Sequence, residues 1–324
     1  MSWIDEFVEM LFPLDASSLR IEQAFTLKHQ NLPKTVFKYR GVNKHSLKNL
    51  RDNTIWLADP RSFNDPYDCS VFVDFDRMAK DLYKNPPREL IERLTKHLPA
   101  QRVIDIQAAM RNADNTQDAL LDEVLRDMPA EKIEVAKAAL KAINTMTYHD
   151  MASKSSEAFK NGFKVCSFSA RKDSTLMWSH YADYHKGFCI EYSLENTTPK
   201  DFLSRFMYPV IYSERPFDAT DNISNFAEKS PNSLYLNKAG LIKSTDWEYE
   251  REWRLIFSNG VMKSEQAYDM PTPTAVYLGS HISQKDQDDI LNICKEKGIP
   301  VKKMKHSPSV FRMEALDINK ASTG

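Results

Sequence analysis

The sequence predicts an α+β fold: a mostly antiparallel, split β-sheet core with a helical insertion. Three observations carry that prediction. Short runs alternating with a period of two occur before residue 60 and again from residue 163, the pattern of half-buried strands. Between them, residues 77–160 are rich in Ala, Leu, Glu, Lys, Arg and Met, with helical periodicity and few aromatics. The chain has 324 residues, 42% of them hydrophobic, which is enough for a sizeable core.

In chain order, Trp3, Ile4, Phe7, Val8, Leu11 and Phe12 recur at helical spacing, so residues 1–32 read as a helical leader that ends before Pro33. Thr35–Arg40 reads as a strand, residues 45–52 as a short helix and Thr54–Ala58 as a second strand. The loop Asp59–Asp68 carries Pro60, Asn64, Asp65 and Pro66, residues that fix turns. Asn85-Pro-Pro87 and Met128-Pro-Ala130 divide the insertion into several helices. Strands resume at Phe163–Ala170, Phe188–Ser193, Tyr208–Ser213, Arg251–Phe257 and Ala275–Gly279. A helix over Ser174–Tyr184, capped by Asp173 or Ser174, interrupts them. The run Lys295–His306 reads as a solvated helix end. Residues 33–76 and 161–319 thus form a discontinuous core around the insertion 77–160, and 320–324 read as a disordered tail.

Composition narrows the chemistry. A net charge of −1 supplies no global field for nucleic acid or membrane. No apolar run approaches the ~18 residues of a membrane helix, and the acidic start Met-Ser-Trp-Ile-Asp-Glu-Phe lacks a signal-peptide layout. The four cysteines show no CxxC spacing, and Cys166 and Cys189 sit in apolar runs as buried thiols, which suits a reducing cytoplasm. With 8 glycines there is no dinucleotide fingerprint, P-loop or nucleophile elbow. Any phosphate must therefore be gripped by side chains. HExxH is missing and the histidines do not cluster with carboxylates, so no metal is expected.

The most informative segment is Trp247-Glu-Tyr-Glu-Arg-Glu-Trp-Arg-Leu-Ile-Phe257. Read as a strand, it points Trp253, Leu255 and Phe257 to a core and sets Glu250, Glu252 and Arg254 on the other face. Like charges two residues apart repel. They mark either a solvated edge, with Arg254 pairing to a glutamate, or a glutamate pair holding a sugar beside a cationic transition state. Two further strands present polar side chains in alternation: Lys38 and Arg40 with Phe37 and Tyr39, and Ser167 and Ser169 with Cys166 and Phe168.

An arginine, a serine strand and a Glu-x-Glu at the head of a strand, in that order, resemble the arginine-serine-glutamate class of ADP-ribosyltransferases. The resemblance implies an ADP-ribosyltransferase-like sheet with NAD as substrate. In it Arg40, with Lys38 beside it, would clamp the pyrophosphate as a fork of charged donors. Ser167 or Ser169 would hold the nicotinamide ribose. Glu252 would bind the ribose 2′-hydroxyl and stabilise the oxocarbenium-like state, Glu250 would orient or deprotonate the acceptor, and Tyr39 or Tyr181 would pack on nicotinamide. Asn64, Asp65, Trp178, His180 and Arg254 border the expected cleft. Their plainer roles are turn capping for the first two, helix–sheet packing for Trp178 and a surface position for His180.

A second resemblance is to the bacterial family known as domain of unknown function 2971. It rests on Lys38-Tyr-Arg40, Phe63-Asn-Asp-Pro-Tyr-Asp68, Cys166-Ser-Phe-Ser169, Leu176-Met-Trp-Ser-His-Tyr-Ala-Asp183, Gly187-Phe-Cys-Ile-Glu-Tyr192 and Trp247–Arg254. It implies an accessory protein of bacterial defence or toxin loci. Together the resemblances lead to an NAD-dependent ADP-ribosyltransferase that modifies an intracellular macromolecule, nucleic acid or protein, as a toxin or antiphage effector. An inhibitory antitoxin or a defence-complex subunit is the expected partner. The alternatives are an NAD glycohydrolase and a non-catalytic partner-binding protein. The insertion is expected to flank the cleft.

Overall fold

The computed structural model describes residues 2–78, 92, 96, 98–224, 230, 232–258 and 267–318. The proline pair at 86–87 and the tail 320–324 lie outside them. The chain forms two compact units, one of Met1–Ser70, Ala158–Phe217 and Ser230–Gly324, the other of Val71–Glu157 and Asp218–Lys229. The described residues 71–76 and 218–224, which the sequence assigns to the core, group with the second unit.

The strands run in order β1 (Thr35–Arg40), β2 (Thr54–Trp56), β3 (Val71–Phe72), β4 (Phe163–Ser169), β5 (Phe188–Ser193), β6 (Met207–Pro209) and β7 (Ile211–Ser213). They continue with β8 (Phe217–Asp218), β9 (Ile242–Ser244), β10 (Glu252–Ser258), β11 (Ala267–Asp269), β12 (Ala275–Leu278), β13 (Val301–His306) and β14 (Met313–Asp317). Eight form one sheet in the order β14-β13-β12-β5-β1-β4-β10-β6. Every neighbouring pair is antiparallel except β12 and β13. The helix Gln284–Glu296, capped by Ser283, connects that parallel pair, as a parallel crossover requires. The mixed fold and the mostly antiparallel sheet agree with the sequence reading.

Pairing along the sheet is uneven. β1 and β5 pair from Thr35↔Ser193 to Arg40↔Phe188, and β4 and β10 pair from Glu252↔Ser169 to Ser258↔Phe163. Between β1 and β4 the register is one pair, Phe37↔Ser169. That pair fixes the faces. Phe37 and Tyr39 share a side with Ser167, Ser169, Glu252 and Arg254, while Lys38 and Arg40 point to the other. Val36, Phe168, Tyr192, Trp253 and Leu255 form the core on the Lys38 side. Phe37, Tyr39, Met177, Trp178 and Tyr277 pack together on the opposite one.

Three sequence expectations need correction. Trp247–Phe257 is not one strand. Thr245–Glu250 is a 3-10 turn capped by Ser244, and Arg251 takes a left-handed φ of 45° before β10 begins. Glu250 is therefore off the strand, and the face of β10 beyond it is buried, not solvated. Tyr208–Ser213 breaks at Val210 into β6, paired to β10, and β7, paired to β9. Finally, the run Lys295–His306 ends a helix at Glu296 and then becomes β13.

In the second unit the helix Thr116–Leu125 is capped by Asn115, whose side chain accepts from Asp118 N. It packs with Ala100–Asn112 through Val103, Ile106, Met110, Leu121 and Leu125, all buried. A third helix runs Ala130–Lys160.

Candidate functional site

The seam between β1 and β4 opens on a cavity of about 190 Å³. Its wall comes from β1 (Phe37, Lys38, Tyr39), β4 (Ser167, Phe168, Ser169), the helix Thr175–Tyr181 and the loop around Phe63 and Asn64. Its polar end holds Asp68, Lys243, Glu250 and Glu252, all in the first unit.

The local structure explains why two glutamates meet there. Arg251 reverses the chain at a left-handed φ, and its carbonyl accepts from Ala170 N at 3.0 Å. Glu250 ends the 3-10 turn and Glu252 starts β10, so both carboxylates approach the ammonium of Lys243. Lys243 Nζ lies 2.5 Å from Glu250 Oε2 and 2.9 Å from Glu252 Oε2. Arg254, with no exposed surface, reaches back along β10. Its Nε donates to Glu252 Oε1 at 2.7 Å, and its two terminal nitrogens donate to both oxygens of Asp68 at 2.8 and 2.7 Å. Tyr181 Oη donates to Glu250 Oε1 at 2.5 Å.

Three buried carboxylates thus face two buried cations, which leaves one anionic group in excess. The excess falls on Glu250. Burial and the neighbouring Glu252 carboxylate push its carboxyl up to about 7, against the pull of Lys243 and Tyr181. Burial also raises Glu252, but Arg254 and Lys243 outweigh it and hold that carboxyl well below the usual carboxylate range. The pair has been driven apart: one carboxyl can take or give a proton near neutrality, the other stays charged. Such a split is how environments assign acid–base roles to paired carboxylates.

The structure sorts the other sequence-derived residues. Ser169 is buried in a structural role, donating to Glu250 O at 2.6 Å and accepting from Arg171 N. Ser167 lines the cavity, and its hydrogen bond helps keep Glu252 ionised. Tyr39 lines the cavity with its ring edge-on to Trp178, and its hydroxyl donates to Arg171 O. Trp178 is fully buried packing, donating to Lys172 O. His180 is exposed beside the Tyr181, Trp247 and Tyr249 rings. Asn64 reaches the cavity; Asp65 is buried and caps the turn at Tyr67 N. Lys38 is half-buried and commits its ammonium to Ser167 O at 2.7 Å.

Arg40 is not brought to the glutamates. Strand alternation turns it away from them, into a different cavity with Asn43, Lys48 and Trp56. Conversely, sequence reasoning passed over Lys243 and left Asp68 as a turn residue in a loop that could line a cleft. The signal for Lys243 was a lysine directly after the apolar Leu241-Ile242, seven residues before Glu250. Among the described residues no three His, Cys, Asp or Glu side chains are grouped to hold a metal ion, and no helix is long and apolar enough to cross a membrane.

Residues 177–255 match a family described as protein of unknown function (DUF2971). The match starts in the helix bearing Tyr181 and ends one residue past Arg254, so it takes in Lys243 and both glutamates. Three of the motifs that carry the likeness in the sequence, Lys38–Arg40, Phe63–Asp68 and Cys166–Ser169, lie outside it. No curated protein and no solved structure matches the chain.

Proposed function

We propose that this protein is an NAD-dependent ADP-ribosyltransferase whose acceptor is a nucleic acid or a protein. The observation that carries the reading is the pair of carboxyls lining one cavity, with Glu250 raised to about 7 and Glu252 held ionised. In this reaction the bond between ribose C1′ and nicotinamide breaks, and its electron pair leaves with nicotinamide. Positive charge develops on the ribose, and the fixed anion of Glu252 stabilises it. An acceptor atom then bonds to C1′ and gives its proton to Glu250, which suits a base titrating near the working pH.

The cavity suits part of NAD. Phe37, Phe63, Phe168 and Tyr181 supply aromatic walls for the nicotinamide ring. At about 190 Å³ it falls below the roughly 300–1,000 Å³ of whole-ligand sites, so it would take the nicotinamide–ribose end. Arg40 does not clamp a diphosphate in this cavity, and the proposal assigns it no part in the reaction.

One observation favours a second reading, a non-catalytic protein with a buried ion network. Both oxygens of Glu252 are already held, by Arg254 and Lys243. Incubation of purified protein with labelled NAD and cell lysate separates the readings. Label entering protein or nucleic acid supports transfer, label in free ADP-ribose indicates water as acceptor, and no release of nicotinamide sinks the proposal. In a transferase, Glu252→Gln lowers turnover by ~10²-fold or more.

A further inference from the structure

Arg40 opens a second question, because its guanidinium faces a cavity that the proposed reaction does not use. That cavity measures about 520 Å³, within the roughly 300–1,000 Å³ range of whole-ligand sites. Arg40 is half-buried there and makes no ion pair among the described residues. Of the other charged residues lining it, Lys48 pairs with Asp52 at 2.7 Å. The first N–H groups of that helix are also taken, since Asn43 Oδ1 accepts from His45 N and Ser46 N. Among the described residues lining the cavity, the charge left without an opposite partner is that of Arg40.

The aromatic wall is equally specific. Trp56 is 49% exposed, while its neighbours Ile55 and Leu57 are 1% and 0% exposed. Strand alternation turns it outward from the two-stranded ribbon, opposite Ala267, whose small side chain leaves the indole uncovered. One arm of the fork donates to the Asn49 side-chain oxygen at 3.0 Å, which orients it in the cavity. A planar guanidinium without a carboxylate partner among the described residues and a half-exposed indole in one cavity match a ligand with a flat ring and an anionic group. Arginine forks bind phosphate in a bidentate manner, and exposed aromatics stack nucleobases.

We propose that this cavity binds a nucleotide, its base stacked on Trp56 and its phosphate in the Arg40 fork. The nucleotide is either free or part of a single strand. Binding to the full-length protein is measured by calorimetry with AMP and by anisotropy with a labelled ten-nucleotide single strand, both without NAD. Because no bond breaks, the outcome is independent of the proposed transfer reaction. Saturable AMP binding identifies a free-nucleotide site; binding of the strand alone identifies a nucleic-acid site. In either case Trp56→Leu weakens binding ~10-fold or more, as expected for a lost stack. Arg40→Lys weakens it several-fold while keeping the charge. For a strand, Arg40→Gln also lowers the slope of log affinity against log salt by about 0.7. Circular dichroism melts confirm that each variant is folded. No binding of either probe at millimolar concentration overturns the proposal. So does wild-type affinity in folded Trp56→Leu and Arg40→Lys.

Discussion

Arg254 shows what a single side chain contributes. It is fully buried, and its fork is filled by Asp68 on one side and Glu252 on the other. Removing one partner of a buried pair leaves an uncompensated charge and costs about 3–5 kcal/mol. Asp68→Asn is therefore expected to lower the denaturant midpoint at unchanged m-value, and Glu252→Gln to lower it as well. A folded variant with an unaltered midpoint would contradict the network. Tyr181→Phe tests the other carboxyl. The phenol donates to Glu250 and holds its proton affinity down. Its loss should move the acid limb of NAD turnover, expected near pH 7, to higher pH. A limb that stays in place would remove Glu250 as the proton acceptor.

At the scale of the element, close backbone contacts hold β5 and β1 in the register that turns Arg40 away from the glutamates. Gly187 precedes β5, and a Cβ built there would lie 2.1 Å from Arg40 O and 2.9 Å from Ala182 O. Both obstacles are backbone and cannot step aside. Gly187→Ala is expected to destabilise by about 1–3 kcal/mol, read as a drop in Tm, and to disturb the end of β1 where Arg40 sits. An unchanged Tm would mean that β1 and β5 are less tightly paired than their register indicates. Elements with strong alternation were legible in the sequence: β1, β4, β5 and β10 fall within a residue or so of their expected spans. β13 was not, because Val-Lys-Lys-Met-Lys-His buries only Met304. A charged strand near the margin of a sheet reads locally like a solvated helix end.

For the whole molecule, the ion network links stability to pH. Glu250 has a folded value near 7 against an ordinary 4.5. Between those values the folded protein holds a proton that the unfolded chain has lost, so stability falls as pH rises through that window. The full effect is on the order of 3 kcal/mol. Glu252 acts in the opposite sense: its lowered value adds stability above pH ~4.5 that is lost as pH falls. Thermal melts from pH 4.5 to 8 should show a decline toward neutral that Glu250→Gln abolishes. An identical profile in that variant would place the excess proton elsewhere.

The sequence by itself determined the mixed fold class, the main strands of the antiparallel sheet and the importance of the Trp247–Phe257 segment, because alternation and turn residues act over a few neighbours. The tertiary structure decided how those residues combine. It placed Glu250 in a turn and Glu252 on a strand, brought Lys243 and Asp68 between them, and sent Arg40 to another cavity. Each outcome depends on register between strands distant in sequence, such as Phe37↔Ser169, and on burial that turns nearby charges into a coupled set. A shift of one residue in that register would exchange the two faces of β1, and no local pattern in the chain encodes which face wins.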